Sequence, residues 1–233
     1  MTEPEPMNTP EPTPAEGFRQ SRFVAAPGAT RVLLVRHGES APAHPDRPFP
    51  LAGGHGDPEL HPDGVLQAQA VGARLAAVEP IAAIYVTTLR RTHQTAAPLA
   101  GLLGIEPVIE ADLREVHLGD WEGGELRTRS AAGDPLFLQV LEQQRWDMIP
   151  GAEPLSDFDA RLQAGLGRIV AAHPDQTVVA VVHGGVIGQL LAHATGTVGF
   201  AFVGADNASV SELVVQGGRQ VLRRFNDTAH LNG

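Results

Sequence analysis

Apolar residues along this 233-residue chain return with two different periods. Short runs rich in Val, Ile and Leu alternate with longer segments in which apolar positions recur every three or four residues. The short runs Val32–Arg36, Ala82–Thr87, Pro107–Ile109 and Val178–Val182 predict β-strands. The longer segments predict helices over Pro62–Ala77, Leu89–Leu103, Leu155–Ala172 and Val186–Ala194. Pro62 suits the first turn of its helix, and Leu66, Ala70, Ala73 and Ala77 share one face as its apolar stripe. Gly104 stops the second helix, Pro174 follows the third, and the fourth comes directly after Gly184-Gly185. Ser209–Val215 and Arg219–Phe225 predict a hairpin about Gly217-Gly218. Strands separated by helices predict an α/β fold, a three-layer α/β/α sandwich around a mostly parallel sheet. Gly119–Met148 has weaker periodicity and predicts a small accessory cap over the sheet edge.

Composition narrows the function classes. The chain is long enough for one domain with a sizeable core, and no apolar run approaches the roughly 18 residues needed to span a membrane. A net charge of −10 argues against nucleic acid or an anionic lipid surface as partner. An anionic substrate therefore needs a local basic cluster. The absence of cysteine excludes disulfides, a thiol nucleophile and cysteine metal sites. Thr2–Glu16 holds five prolines and four glutamates with no basic residue. Such a segment buries too little surface to offset its ordering entropy, so residues 1–28 are expected to form a disordered acidic tail. The segment lacks the basic and apolar regions of an export signal, and a cytoplasmic location is expected.

Four segments place charged or titratable groups at the ends of buried elements. Val32–Val35 runs into Arg36-His37-Gly38, and Val181-Val182 runs into His183-Gly184-Gly185. Thr87–Thr95 spans a strand-to-helix junction that carries Arg90 and Arg91, and Leu113-Arg114-Glu115 precedes the cap. In a parallel sheet, ligands bind beyond the carboxyl ends of the strands. A cation and an imidazole beside a core strand are costly unless an anion uses them, and phosphate suits both an arginine fork and a helix N-terminus. Seven further histidines, His44, His55, His61, His93, His117, His173 and His193, show no paired ligand spacing, so no metal site is expected.

These motifs resemble those of the histidine phosphatase superfamily, in its phosphoglycerate mutase-like branch. The likeness rests on Arg36-His37-Gly38, Leu89–Ala96 with its Arg91 and Gln94-Thr95-Ala96, Leu113-Arg114-Glu115, and His183-Gly184. The ending Asn226–Leu231 is similar too, so the resemblance covers about Arg31 to Leu231 and implies one domain over residues 29–233. It implies that His37 is the nucleophile that becomes phosphorylated. Arg36 and Arg91 would hold phosphoryl oxygens, His183 would complete the positive pocket, and Glu115 would protonate the leaving oxygen. Ser40 and Gly184 complete the candidate phosphate contacts. The implied activity is hydrolysis of a small phosphate monoester without metal or cofactor. A cofactor-dependent phosphoglycerate mutase and a non-catalytic phospho-ligand-binding protein stay open, as does a homodimer.

The chain departs from the family pattern in its loops. Many relatives carry an aromatic-Asn pair after Arg-His-Gly, where this chain has Pro42-Ala43. Either that contact is missing here, or it comes from elsewhere, from Ser40, Thr92 or a backbone N–H. The stretch between Glu115 and His183 is short for a mutase lid, and its basic residues are Arg127, Arg129, Arg145, Arg161 and Arg168. The loop Ala41–Pro58, with His44 and His55 at the expected pocket mouth, is where substrate choice is expected to lie.

Overall fold

The computed structural model describes residues 20–231. Residues 1–19 of the expected acidic tail, and residues 232 and 233, lie outside the described residues. Residues 20–26 form neither helix nor strand, and Gly28 N donates to Asp175 Oδ1 at 2.6 Å just before the first strand.

The elements follow in chain order. β1 (Thr30–Arg36) leads through a loop with a two-residue hairpin, β2 (Leu51–Ala52) and β3 (His55–Gly56), to α1 (Pro62–Val78). β4 (Ile81–Val86), α2 (Arg90–Leu103) and β5 (Val108–Ile109) come next. Two short helices, α3 (Glu125–Ala132) and α4 (Pro135–Gln143), then precede α5 (Leu155–Ala172), β6 (Thr177–Val182) and α6 (Gly184–Thr195). The hairpin β7 (Val210–Gln216) and β8 (Arg219–Asp227) closes the domain. Gly217 and Gly218 both have positive φ, 55° and 81°, as a two-residue hairpin of this twist requires.

The main sheet has the order β5-β4-β6-β1-β7-β8. β5, β4, β6 and β1 run parallel, while β7 is antiparallel to both β1 and β8. Strand alternation supplies a core on each side. Val32, Leu34, Val178, Ala180 and Val182 face α5 and α6 through Phe158, Leu162, Leu166 and Leu190. Leu33, Val35, Val179 and Val181 face α1 and α2 through Val71, Leu75, Ala96 and Leu99. Each fully buried aliphatic contributes about 1.5–3 kcal/mol, so the three layers follow from period-two runs that are apolar at every position. Among the described residues, no helix is long and apolar enough to cross a membrane.

Two expectations are corrected. The packing face of α1 is not the stripe of Leu66, Ala70, Ala73 and Ala77, since Leu66 is 63% exposed. The buried residues are Gly64, Ala68, Val71, Gly72 and Leu75. Small residues let α1 settle against the loop after β1 and against α2, and this close approach decides the face over side-chain size. The segment Gly119–Met148 does form a cap, but over the carboxyl ends of the strands rather than the sheet edge. It has its own small core of Trp121, Val140 and Ile149, with Leu126, Phe137 and Trp146 packed around it.

Gly38 and Gly64 face each other where α1 meets the loop after β1. A Cβ on Gly64 would collide with the Glu39 backbone, and a Cβ on Gly38 with the Gly64 carbonyl. Such overpacking costs about 1–3 kcal/mol, against roughly 1 kcal/mol that alanine gains over glycine within a helix. The Gly64→Ala variant is therefore expected to unfold at a lower temperature in a thermal scan. A raised Tm would show that the loop yields.

Candidate active site

The parallel pairing of β1 with β6 sets Arg36 opposite Val182, so the residues that follow the two strands emerge side by side. His37 N donates to the Val182 carbonyl at 2.9 Å. The His37 and His183 rings meet edge to face with centroids 5.3 Å apart. The His37 carbonyl accepts from Asn207 Nδ2 at 2.9 Å, and Gly38 N donates to Thr95 Oγ1 at 3.0 Å. The backbone around His37 is thus fixed from both flanks.

His37 is buried, 5% exposed, and its Nδ1 lies 2.7 Å from the Gly38 carbonyl. A carbonyl only accepts, so Nδ1 carries the proton and Nε2 is left with a free lone pair. Burial holds the imidazole well below its usual pKa, and the Arg91 and Arg36 charges push in the same direction. The ring is a neutral base at neutral pH. His183 is fully buried, and its pKa is depressed by burial and then by Arg91. Its Nε2 is 3.0 Å from Thr87 Oγ1, while its Nδ1 is buried without a partner.

Two arginines flank His37. Arg36 donates to the Ala205 carbonyl at 2.5 Å and keeps a buried Nε with no partner. Arg91 is 7% exposed and donates to the Gly56 carbonyl at 2.9 Å, and burial lowers its pKa to about 10. Arg90 points elsewhere: its Nε donates to Asp57 Oδ2 at 2.9 Å, and half of its side chain meets solvent. Asp57 also accepts from Arg90 N at 2.8 Å, so it fixes the start of α2 from which Arg91 projects.

Glu115 reaches the same place from the loop before the cap. Its carboxyl accepts from Val116 N at 3.0 Å and from Gly185 N, in the first turn of α6, at 3.1 Å. Burial raises its pKa above the ordinary carboxylate value, against the pull of those two N–H groups and of Arg91 and Arg36. Its backbone is held by Arg161 of α5, which donates to the carbonyls of Asp112, Arg114 and Glu115 at 2.6–2.8 Å and pairs with Glu153.

These groups open on a cavity of about 300 Å³ lined by Arg36, His37, Arg91, Glu115, Gly184 and Gly185. Of the expected site residues, Arg36, His37, Arg91, Glu115 and Gly184 stand on its wall. His183 lies one layer behind, against His37. Ser40 does not line it, because Ser40 Oγ is buried and accepts from Arg127 Nη2 at 2.7 Å. Thr92 is absent from the wall too, since its hydroxyl bonds within the Thr87–Leu89 turn. The cap and the loop after β1 supply Phe49, His55, Leu126, Arg127 and Trp146 to the outer wall. His55 is buried and neutral, with its pKa lowered by burial and its ring edge to face with His117 at 5.1 Å. Among the described residues, the acidic and histidine side chains grouped closely enough for a metal are Glu39, His61 and Asp63. His61 there caps α1, with its Nδ1 accepting from Asp63 N at 3.3 Å.

Sequence reasoning named Arg127 and Arg161 only as available cations and passed over Asp57. Asp57 carries no local signal, because the helix start it serves lies 33 positions further along the chain. Arg161 acts on three backbone carbonyls, which no sequence spacing reveals.

The phosphoglycerate mutase-like protein 4 of Arabidopsis thaliana is 36% identical over 162 residues, 68% of each chain. The metal-independent phosphoserine phosphatase of the same plant is 28% identical, over 87% of this chain and 84% of its own. The solved structure of a mycobacterial glucosyl-3-phosphoglycerate phosphatase superposes with a TM-score of 0.71 at 28% identity, covering 86% of this chain and all of that one. The sequence pattern of the histidine phosphatase superfamily (branch 1) matches residues 32–228. With that span matched and its two strand-end histidines side by side, the chain belongs to the histidine phosphatase superfamily.

Proposed function

We propose that this protein hydrolyses phosphate monoesters through a phosphohistidine formed on His37. The observation that carries this reading is the state of His37: neutral, with Nδ1–H committed to the Gly38 carbonyl and Nε2 free on a ring that lines an arginine-flanked cavity. A neutral imidazole is nucleophilic without thiol or metal activation. Nε2 attacks phosphorus while the ester P–O bond breaks, and Glu115 gives its proton to the departing alkoxide. Glu115, now ionised, takes a proton from water, and the resulting hydroxide displaces His37 from phosphorus to release phosphate. Arg36 and Arg91 hold phosphoryl oxygens, since this chemistry is mostly positioning and charge stabilisation. Gly184 offers a first-turn N–H from α6, and His183 keeps the His37 ring in place with its Nδ1 free to donate.

The alcohol half of the substrate meets the apolar outer wall of Phe49, Leu118, Leu126 and Trp146. The phosphatase names of two of the relatives support hydrolysis. So does the short cap, because a mutase must shield its phosphoenzyme from water until the phosphoryl group returns.

Wild-type protein is expected to release phosphate from p-nitrophenyl phosphate and to acquire an acid-labile phosphate, both lost in His37→Ala. Robust turnover of 3-phosphoglycerate with a bisphosphate primer in an enolase-coupled assay would replace hydrolysis by the mutase reaction. The pH dependence follows from the two shifts. His37 must be neutral, and its pKa is depressed, so activity persists well below pH 6.5. Glu115 must be protonated, and its pKa is raised, so kcat/KM falls as pH climbs through that raised value. A rate still rising above about pH 9 contradicts this assignment. Glu115→Gln is expected to slow alkyl phosphates by about 10²–10⁴, and p-nitrophenyl phosphate far less, because its leaving group needs little protonation. Equal losses on both would remove Glu115 as the acid.

A further inference from the structure

Arg127 stands in the first turn of α3, at the rim of the cavity, and among the described residues it is the cap arginine with no carboxylate in ion-pair contact. Its α3 neighbour Arg129 pairs with Glu125 and Asp134, and Arg145 pairs with Asp147. Arg127 instead donates to the Ala41 carbonyl at 2.9 Å and to Ser40 Oγ at 2.7 Å, with its guanidinium 5.3 Å from the Phe49 ring centroid. A guanidinium has five N–H donors, so three remain after these two bonds. Ser40 and Ala41 belong to the loop that leaves His37. That places Arg127 on the nucleophile's side of the cavity. It also stands beside Pro42-Ala43, the positions that offer no polar side chain.

We propose that Arg127 is a third phosphoryl-binding arginine, delivered by the cap and seated by the loop that follows His37. In an in-line displacement, the attacking nitrogen and the leaving oxygen occupy opposite apices, and charge spreads over three equatorial oxygens. A cation tethered to the nucleophile's own loop lies beside that equator, whereas Glu115 serves the leaving apex. Arg36, Arg91 and Arg127 then offer one fork to each side of a dianion. The field of Arg127 already reaches the site: it opposes protonation of His37, and Arg36 in turn lowers the pKa of Arg127. This inference rests on the phosphatase reading above.

The test compares the full chain with Arg127→Gln, Arg127→Lys and, as a control on the same helix, Arg129→Gln. Orthovanadate inhibition and hydrolysis of p-nitrophenyl phosphate and phosphoserine are measured across pH. In Arg127→Gln, kcat/KM for both esters is expected to fall by a similar factor, about 10- to 100-fold, the worth of one hydrogen bond from a charged group. Vanadate inhibition weakens in parallel, and the lysine variant recovers part of the loss. The acidic limb of the profile moves to higher pH, because one cation facing His37 is gone while Arg36, Arg91 and neutral His183 remain. The control keeps wild-type vanadate affinity. A loss confined to phosphoserine would make Arg127 a reader of the alcohol half, and unchanged kinetics would make it only a tether of the cap; either result overturns the proposal. Should Arg127→Gln fail to fold, Ser40→Ala frees one anchor while keeping the charge, and unaltered vanadate affinity there also overturns it. If wild-type protein neither hydrolyses these esters nor binds vanadate, the phosphatase reading itself fails.

Discussion

The parallel register of β1 against β6 is the constraint on which the site depends. Arg36 pairs with Val182 in that register, so two strands that end in histidine end at the same height. A slip of one residue would turn every side chain of β1 to the opposite face. Val32 and Leu34 would then leave the α5–α6 core, and Leu33 and Val35 the α1–α2 core. Each core is packed to its own set of side chains, so exchanging the two sets would open voids in one and overpack the other, and the placement of His37 beside His183 inherits the stability of the whole sheet. The core thus sets catalytic geometry directly, with no loop to transmit an error.

Burial does a second task at the same place. Desolvation penalises whichever form of a group is charged. For His37 the charged form is the acid, so burial leaves a free base. For Glu115 the charged form is the base, so burial favours the acid. One environment therefore pushes the two groups in opposite directions, each toward the protonation state that the proposed step requires. The cost is borne by Arg36 and Arg91, which stay in the same dry surroundings with carbonyls as their hydrogen-bond partners, Arg91 having Asp57 at 4.0 Å as well. Carbonyl partners orient an arginine without cancelling its charge, which keeps the site electropositive inside a protein of net charge −10.

Much of this was legible in the sequence, and the failures have physical causes. Val32–Arg36 and Val178–Val182 announce buried strands because they are apolar at every position, and the histidines that follow them are conspicuous against that background. Arg91 is separable from Arg90 in the sequence only through the resemblance; the structure adds that the buried Asp57 holds the Arg90 guanidinium, which does not line the cavity. The face of α1 was misjudged because a count of large apolar residues favours Leu66. Backbone proximity favours the glycines at 64 and 72, whose contacts come from elements far away in sequence. Ser40 was chosen for its hydroxyl near the motif, yet that hydroxyl is spent on an arginine 87 positions away. Such tertiary pairings leave no periodic trace.

The cap encloses its own small core around Trp121, Val140 and Ile149, while Arg161 ties the Glu115 loop to α5 through backbone carbonyls. Glu115, the proposed proton donor, is therefore anchored to the sandwich and not to the cap that overhangs it. Carbonyl partners impose no demand on side-chain identity, so residues of that loop can change without loosening the acid. A cap built this way can change its apolar wall to admit new alcohols while Arg36, His37 and Glu115 keep their places, provided that Arg127 keeps its seat on the loop after β1. That modularity makes a single scaffold evolvable toward many esters.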